Sequence, residues 1–301
     1  MFVLIGIVIV LGSIIGGYLM EHGKLAVLFQ PAELVIIGGA ALGSLVIASP
    51  LPVIKGMIGG VLGLLKPDPF GKAFYLENLK MLSEIFTYTR KNGMAKLEAD
   101  IEEPAKSELF KKYPKFLKDH FALAFFCDTM RMSISGGSDA LQLDQLMEID
   151  IEVHHKEHHE PVSALQTMAD SLPGLGIVAA VLGVVITMGS LGGPPEELGH
   201  KVAAALVGTF LGILLCYGFV GPMATLMGKR GDAYGQYLQF LRMGMLAFIQ
   251  GNPPAMAIEF ARRSITPHVR PGFAEMEKAV KGGGGAGAGA AAGGGVAAAG
   301  A

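Results

Sequence analysis

The sequence predicts an all-α integral membrane protein: four transmembrane helices, with a helical cytoplasmic domain inserted between helices 2 and 3. Three observations predict it. Of the 301 residues 51% are hydrophobic and 17% charged, and the mean hydropathy is +0.48. That is too apolar for an ordinary soluble chain and too charged for a wholly embedded one. The apolar residues gather in runs close to the roughly 20 that cross a bilayer core. Between the second and third runs, charges of both signs return, with a helix-forming composition.

In chain order, residues 1–65 hold the first two spans. Phe2 to Met20 is apolar, with no basic leader and no small-residue cleavage site, and reads as a retained span rather than a signal peptide. After the polar turn Glu21-His22-Gly23-Lys24, a second span covers roughly Ala32 to Leu51, with Gly38, Gly39 and Gly43 as close-packing positions. Lys55 to Leu65 stays apolar and reads either as the inner end of a bent second helix or as an interfacial helix. Residues 66–170 form the polar helical domain, punctuated by Gly93, Pro104, Pro114 and Gly136-Gly137. Residues 171–228 carry spans three and four, and 229–281 a polar C-terminal segment. Residues 282–301 are a Gly/Ala tract whose composition cannot build a packed core. Lys24 and Lys201 are the basic residues of the two hairpins, while Lys55, Lys66, Lys229 and Arg230 flank the opposite span ends. That asymmetry puts the large domain and both termini in the cytoplasm.

Spans three and four, Leu172 to Met188 and Val202 to Pro222, contain no Asp, Glu, Lys or Arg. In the third, Gly176, Ala180, Gly183 and Thr187 recur at steps of three or four. Ala205, Gly208, Thr209, Gly212 and Cys216 do the same in the fourth. Small side chains let backbones approach closely in lipid, and these faces read as surfaces built to meet another helix. All four spans are read as free of carboxylates. A bare charge at mid-bilayer costs about 2.5 to 3.5 kcal/mol on insertion scales, so an ion-conducting chain of this kind would need its acid from a partner helix docked on the small faces. Thr187, Thr209 and Tyr217 offer hydroxyls inside the pair, although membrane threonines commonly bond back to their own helix. Pro173 and Pro222 read as helix ends or as hinges.

Several functional classes fall away. A formal net charge of −2 gives no argument for nucleic acid. Cys127 and Cys216 have neither disulfide context nor zinc spacing. Gly174-x-Gly176-x-x-Ala179 opens a membrane helix with no preceding strand, so it is not a dinucleotide fingerprint. His154, His155, His158 and His159 form two i, i+4 pairs without an H-E-x-x-H spacing. They read as a solvated membrane-proximal helix, with a divalent metal or a pH-sensitive charge as lesser readings.

Three stretches carry a resemblance: Arg90 through Glu102; Ser171 through Val181; and Val207-Gly208-Thr209-Phe210-Leu211-Gly212-Ile213-Leu214-Leu215, with Tyr217, Gly218, Phe219 and Pro222. Pro253-Pro254, Glu259-Phe260, Arg270-Pro271 and Phe273 extend it nearly to Glu277. The chain resembles the MotA family of flagellar motor stator subunits, within the MotA/TolQ/ExbB proton channel superfamily. The resemblance implies a homopentamer around two copies of MotB, whose transmembrane aspartate is the missing acid, in the inner membrane. It implies that cation flow, driven by proton-motive force, turns the ring and delivers torque to the rotor protein FliG, with no cofactor and no enzymatic step. Carried onto matching positions, Pro173, Gly176, Ala180, Leu206, Thr209, Tyr217 and Pro222 would line or gate the ion path, and Arg90 and Glu98 would bind the rotor. Gly208-Thr209, where sodium-type relatives carry Thr-Thr, implies H+. The alternatives are a sodium-driven, PomA-like stator; an ExbB/TolQ-like energiser, which would have three spans and an external N-terminus; and a secondary solute transporter, which would show internal repeats.

Overall fold

The computed structural model describes residues 2–136, 139–189, 192 and 194–281. The expected Gly/Ala tract, residues 282–301, and the glycines at 137 and 193 lie outside the described residues. Among the described residues the chain is helical without strands, and four helical segments are long and apolar enough to cross a membrane: Phe2–Met20, Leu25–Ala48, Ala140–Met188 and Pro195–Ile249. The described residues divide into two compact units, one within 2–69 and 148–236, the other within 70–147 and 237–281.

In the first unit α1 (Phe2–Met20) buries none of its side chains, as suits an apolar helix whose solvent is lipid. It ends where His22 takes φ +61° and the Gly23 N–H bonds the Tyr18 carbonyl at 2.9 Å, a left-handed cap. The one-turn α2 (Leu25–Leu28) leads into α3 (Pro31–Ala48), which opens on a proline whose missing N–H costs nothing at a first helical position. Extended backbone at Ser49 and Pro50 then separates α3 from α4 (Leu51–Gly63). The piece that read as a bent end or an interfacial helix is therefore a helix of its own. Its exposed C-terminal carbonyls are met by Arg230, which donates to Gly63 O at 2.6 Å and to Lys66 O at 2.6 Å. A cation there complements the negative end of the helix.

The second unit takes the polar elements. These are α5 (Lys72–Asn92), α6 (Met94–Glu102), a 3-10 turn at Phe110–Lys112, α7 (Pro114–Lys118), α8 (His120–Ser135) and, after the long helices, α12 (Pro254–Ser264) and α13 (Phe273–Lys281). Gly93, at φ +86°, turns α5 into α6. Asp119 caps α8 by accepting from Ala122 N–H at 3.1 Å. Aromatic rings fill the core. Phe86 stacks on Phe248 with centroids 4.4 Å apart, Phe74 and Tyr237 meet edge to face at 4.8 Å, and Phe110, Phe116 and Phe126 form a second group.

Two long helices carry the chain between the units. The first, α9 (Ala140–Met188), is 49 residues long, about 73 Å at 1.5 Å per residue, enough to cross a bilayer and project well beyond it. Pro161 and Pro173 both lie inside it, so Pro173 does not end a helix. The other begins as α10 (Pro195–Leu214), widens into a π-helical turn at Leu215–Val220, and continues as α11 (Gly221–Ile249). Pro222 explains the turn: its ring has no N–H and would crowd the carbonyl four residues back, at Gly218, and a wider turn relieves both problems.

Candidate functional site

In the first unit, the small faces of α9 and α10 pack against each other. A β-carbon placed on Gly212 would lie 2.5 Å from Leu172 O, and one on Gly176 would lie 2.8 Å from Gly208 O and 3.1 Å from the Gly212 Cα. One on Gly183 would meet the Ala205 β-carbon at 2.7 Å. Ala179, Ala205, Gly208 and Gly212 are buried along this seam. The expectation that both faces await a partner helix is therefore corrected: each consumes the other, because backbone contact of this closeness leaves no room for a third element.

Another side of the fourth span is exposed, as are the apolar sides of α1, α3 and α9 that face lipid. Leu206 is 65% exposed, Ile213 46% and Tyr217 72%, and they recur at helical spacing on one stripe. Thr209 beside this stripe and Ala180 on α9 are half-buried. Thr187 is buried and donates to Gly183 O at 2.8 Å, and Thr225 donates to Gly221 O at 3.1 Å. Both hydroxyls are thereby spent on their own helices, whereas Thr209 makes no such bond among the described residues.

Tyr217 and Pro222, at the π turn, border two crevices. One, of about 520 Å³, adds Asp170, Thr225 and Lys229. The other, of about 350 Å³, is walled by Phe2, Val3, Ile7 and Val10 of α1. Pro173 is half-buried one turn of α9 beyond Asp170. The structure thus joins Tyr217 to Pro222 at both crevices, while Gly176 belongs to the seam.

The sequence reading missed Glu33. It lies in the first turn of α3, inside a span read as free of carboxylates, and is only 7% exposed. Its Oε2 is enclosed without a hydrogen-bond partner, and a β-carbon on Gly208 would sit 2.6 Å from that oxygen. A charged residue two places into an apolar run was the available signal.

Two family profiles match the chain: motility protein A N-terminal over residues 4–93, and the MotA/TolQ/ExbB proton channel family over residues 117–238. Motility protein A of Escherichia coli is 41% identical over 281 residues, 93% of this chain and 95% of that protein. The chain belongs to the motility protein A family. It is thereby homologous to the stator subunit of the flagellar motor. Chemotaxis protein LafT of Vibrio parahaemolyticus is 36% identical over 91% of this chain and 96% of its own length. Among solved structures, C. jejuni MotAB matches with a TM-score of 0.72 at 17% identity, over 88% of this chain and 95% of that one. The flagellar MotAB stator complex of Bacillus subtilis matches at 0.68 with 23% identity, over 88% and 94%. These likenesses carry the fold.

Two further groups fall outside the apolar runs of this motility protein A homologue. Arg90, in the last turn of α5, and Glu98, on α6, are exposed on either side of Gly93. Neither enters an ion pair among the described residues, while nearby Arg131 is engaged with Glu102 at 2.7 Å. In the histidine cluster, His154 is buried, with its ring 4.3 Å from that of His158 and 5.1 Å from Tyr234. Burial, reinforced by the charges of His158 and His155, pushes its titration down to about 4. His155 Nε2 lies 3.4 Å from Asp232 Oδ1. No group of three or more His, Cys, Asp or Glu among the described residues is arranged to hold a metal.

Proposed function

We propose that this chain is the torque-generating stator subunit of a bacterial flagellar motor, working as a ring of five around two copies of MotB and driven by protons. The observation that carries the reading is the division of labour on the fourth span. Its small face is closed within the chain, and its Leu206-Ile213-Tyr217 stripe is left uncovered, the side on which a partner's membrane helix would lie. Thr209 and Ala180, at the margin of that side, would border the passing ion, with Leu206. MotB would contribute the aspartate that binds the proton. One charge falling through 100 mV releases about 2.3 kcal/mol, enough to shift a hinged helix pair between two arrangements. Pro173, inside α9, and Pro222, after the π turn, are where such a hinge would work.

Lys55 and Lys66, on and just after α4, and Lys229 and Arg230, within α11 past the apolar run, support an inner-membrane chain with both termini cytoplasmic. Arg90 and Glu98, exposed and unengaged, would make the contact with FliG. Isolated surface pairs are worth about 0 to 1 kcal/mol, which suits an attachment broken at each step. A lone hydroxyl at Thr209, without a second threonine at Gly208, offers a thin oxygen shell for a dehydrated sodium ion and so favours H+.

The test is complementation of a strain lacking its own stator pair, with this chain and MotB supplied together. Wild type should restore swimming, with speed insensitive to sodium and abolished by a protonophore. Arg90→Glu and Pro173→Ala should still copurify with MotB yet swim at a small fraction of wild-type speed. Speed that tracks sodium would overturn the ion assignment, and full torque from both variants would overturn the roles given to those residues.

A further inference from the structure

Glu33 has no use in the scheme above, yet among the described residues it is the one carboxylate sealed among these spans with an oxygen that bonds nothing. A glutamate at the third helical position has an ordinary task, reaching back to the N-cap N–H. Here Gln30 is the N-cap and Glu33 makes no such bond. Its Oε2 turns instead toward Gly208, occupying the space a β-carbon there would need. A permanently ionised carboxylate without a partner is costly in such surroundings, while the free N–H groups of the first turn of α3 favour negative charge. These opposed influences act on one oxygen, placed one residue from Thr209.

We propose that the Glu33 carboxyl is a proton-binding station of the ion path carried by this chain itself. The proposal rests on the stator reading above. A hydronium arriving from the hairpin side gives its proton to the carboxylate, forming the O–H bond and leaving water. The carboxyl later gives that proton to a water beside Thr209, re-forming hydronium, which passes it on to the carboxylate of the MotB aspartate, and no other bond changes. The ligand is a proton rather than a metal cation, because Gly208 brings no side-chain oxygen and a metal needs several.

The experiment compares wild type, Glu33→Gln and Glu33→Asp in the intact complex with MotB, measuring copurification, proton flux into vesicles and swimming speed against external pH. Glutamine keeps the shape and cannot exchange a proton; aspartate keeps the chemistry. Flux in Glu33→Gln should fall by about tenfold or more, since a positioned proton-transfer group contributes roughly 10²- to 10⁴-fold. Copurification should be unchanged, and Glu33→Asp should recover part of the flux together with a pH profile. Infrared difference spectra of the wild-type complex provide a readout independent of any variant. Glutamate labelled with ¹³C should show a carboxyl band that changes over the same external pH range in which the flux changes. Wild-type flux and pH profile in Glu33→Gln, or no such band in wild type, would overturn the proposal and leave the stator reading standing. Absence of flux in wild type would overturn the stator reading instead.

Discussion

The seam between α9 and α10 and the core of the second unit solve the same packing problem by opposite means. Around the seam there is no water to expel, so apolar bulk gains nothing and contact distance decides; glycine and alanine bring two backbones together. In the unit of residues 70–147 and 237–281 water is the competing solvent, and burying rings such as Phe86, Phe110, Phe126 and Phe240 supplies the driving force. One region is therefore intolerant of added atoms and the other of removed ones.

The sharpest way to break this contrast is Gly212→Leu. Its β-carbon would meet the Leu172 carbonyl at 2.5 Å, and a backbone oxygen cannot rotate aside as a side chain can. Ordinary overpacking costs about 1 to 3 kcal/mol; here the seam itself should open, and motility and MotB copurification should both be lost. The control is Gly59→Ala, at an exposed helical glycine with nothing within 4 Å, which should be neutral or slightly stabilising by the helix propensity of alanine. Equal loss from both substitutions would show that glycine matters here for flexibility and not for closeness.

Phe86→Ala makes the complementary deletion. Phe86 is fully buried and stacked on Phe248, and truncating such a ring costs about 3 to 5 kcal/mol. Thermal unfolding of the purified complex should begin earlier in the second unit, with the membrane spans still assembled. A smaller change, Tyr237→Phe, keeps the ring and removes the hydroxyl that donates to Asn78 Oδ1 at 2.9 Å. With the amide acceptor left buried, the loss should be about 1 to 3 kcal/mol.

How much of this was legible in the sequence differs between the regions for the same reason. The four apolar segments, the polar insertion and the family's motifs are properties of composition and local order, and they were readable. Periodicity also revealed that Gly176, Gly183, Gly208 and Gly212 line up on faces. It could not say which face meets which, because a small residue advertises closeness without naming the neighbour. The pairing of the seam and the exposure of Leu206 and Tyr217 are therefore facts of tertiary structure. Glu33 was hidden differently. A single charge beside a proline at a helix start resembles hairpin punctuation, and its burial arises from α10, some 170 residues away. Pro173 taught the converse lesson: proline usually marks a helix end, but here the neighbours of α9 hold the helix continuous.

The smallest expected effect belongs to an ion-paired group in the second unit, where water-facing chemistry can be titrated. Glu259 accepts from Arg262 at 2.7 Å and from Arg263 at 2.8 Å, with its side chain only 16% exposed. The hydrogen bond from Arg262 leads in holding its titration down to about 2, against burial, which acts the other way. A carboxyl whose folded-state value is depressed adds stability that is fully present above its ordinary value of about 4.3. That stability drains away as pH falls toward about 2. Acid titration of wild type should therefore show a loss of melting temperature between those limits that Glu259→Gln lacks, the variant being less stable than wild type at neutral pH and converging with it in acid. Parallel curves for the two proteins would mean that the arginines hold α12 through packing of their stems and not through charge.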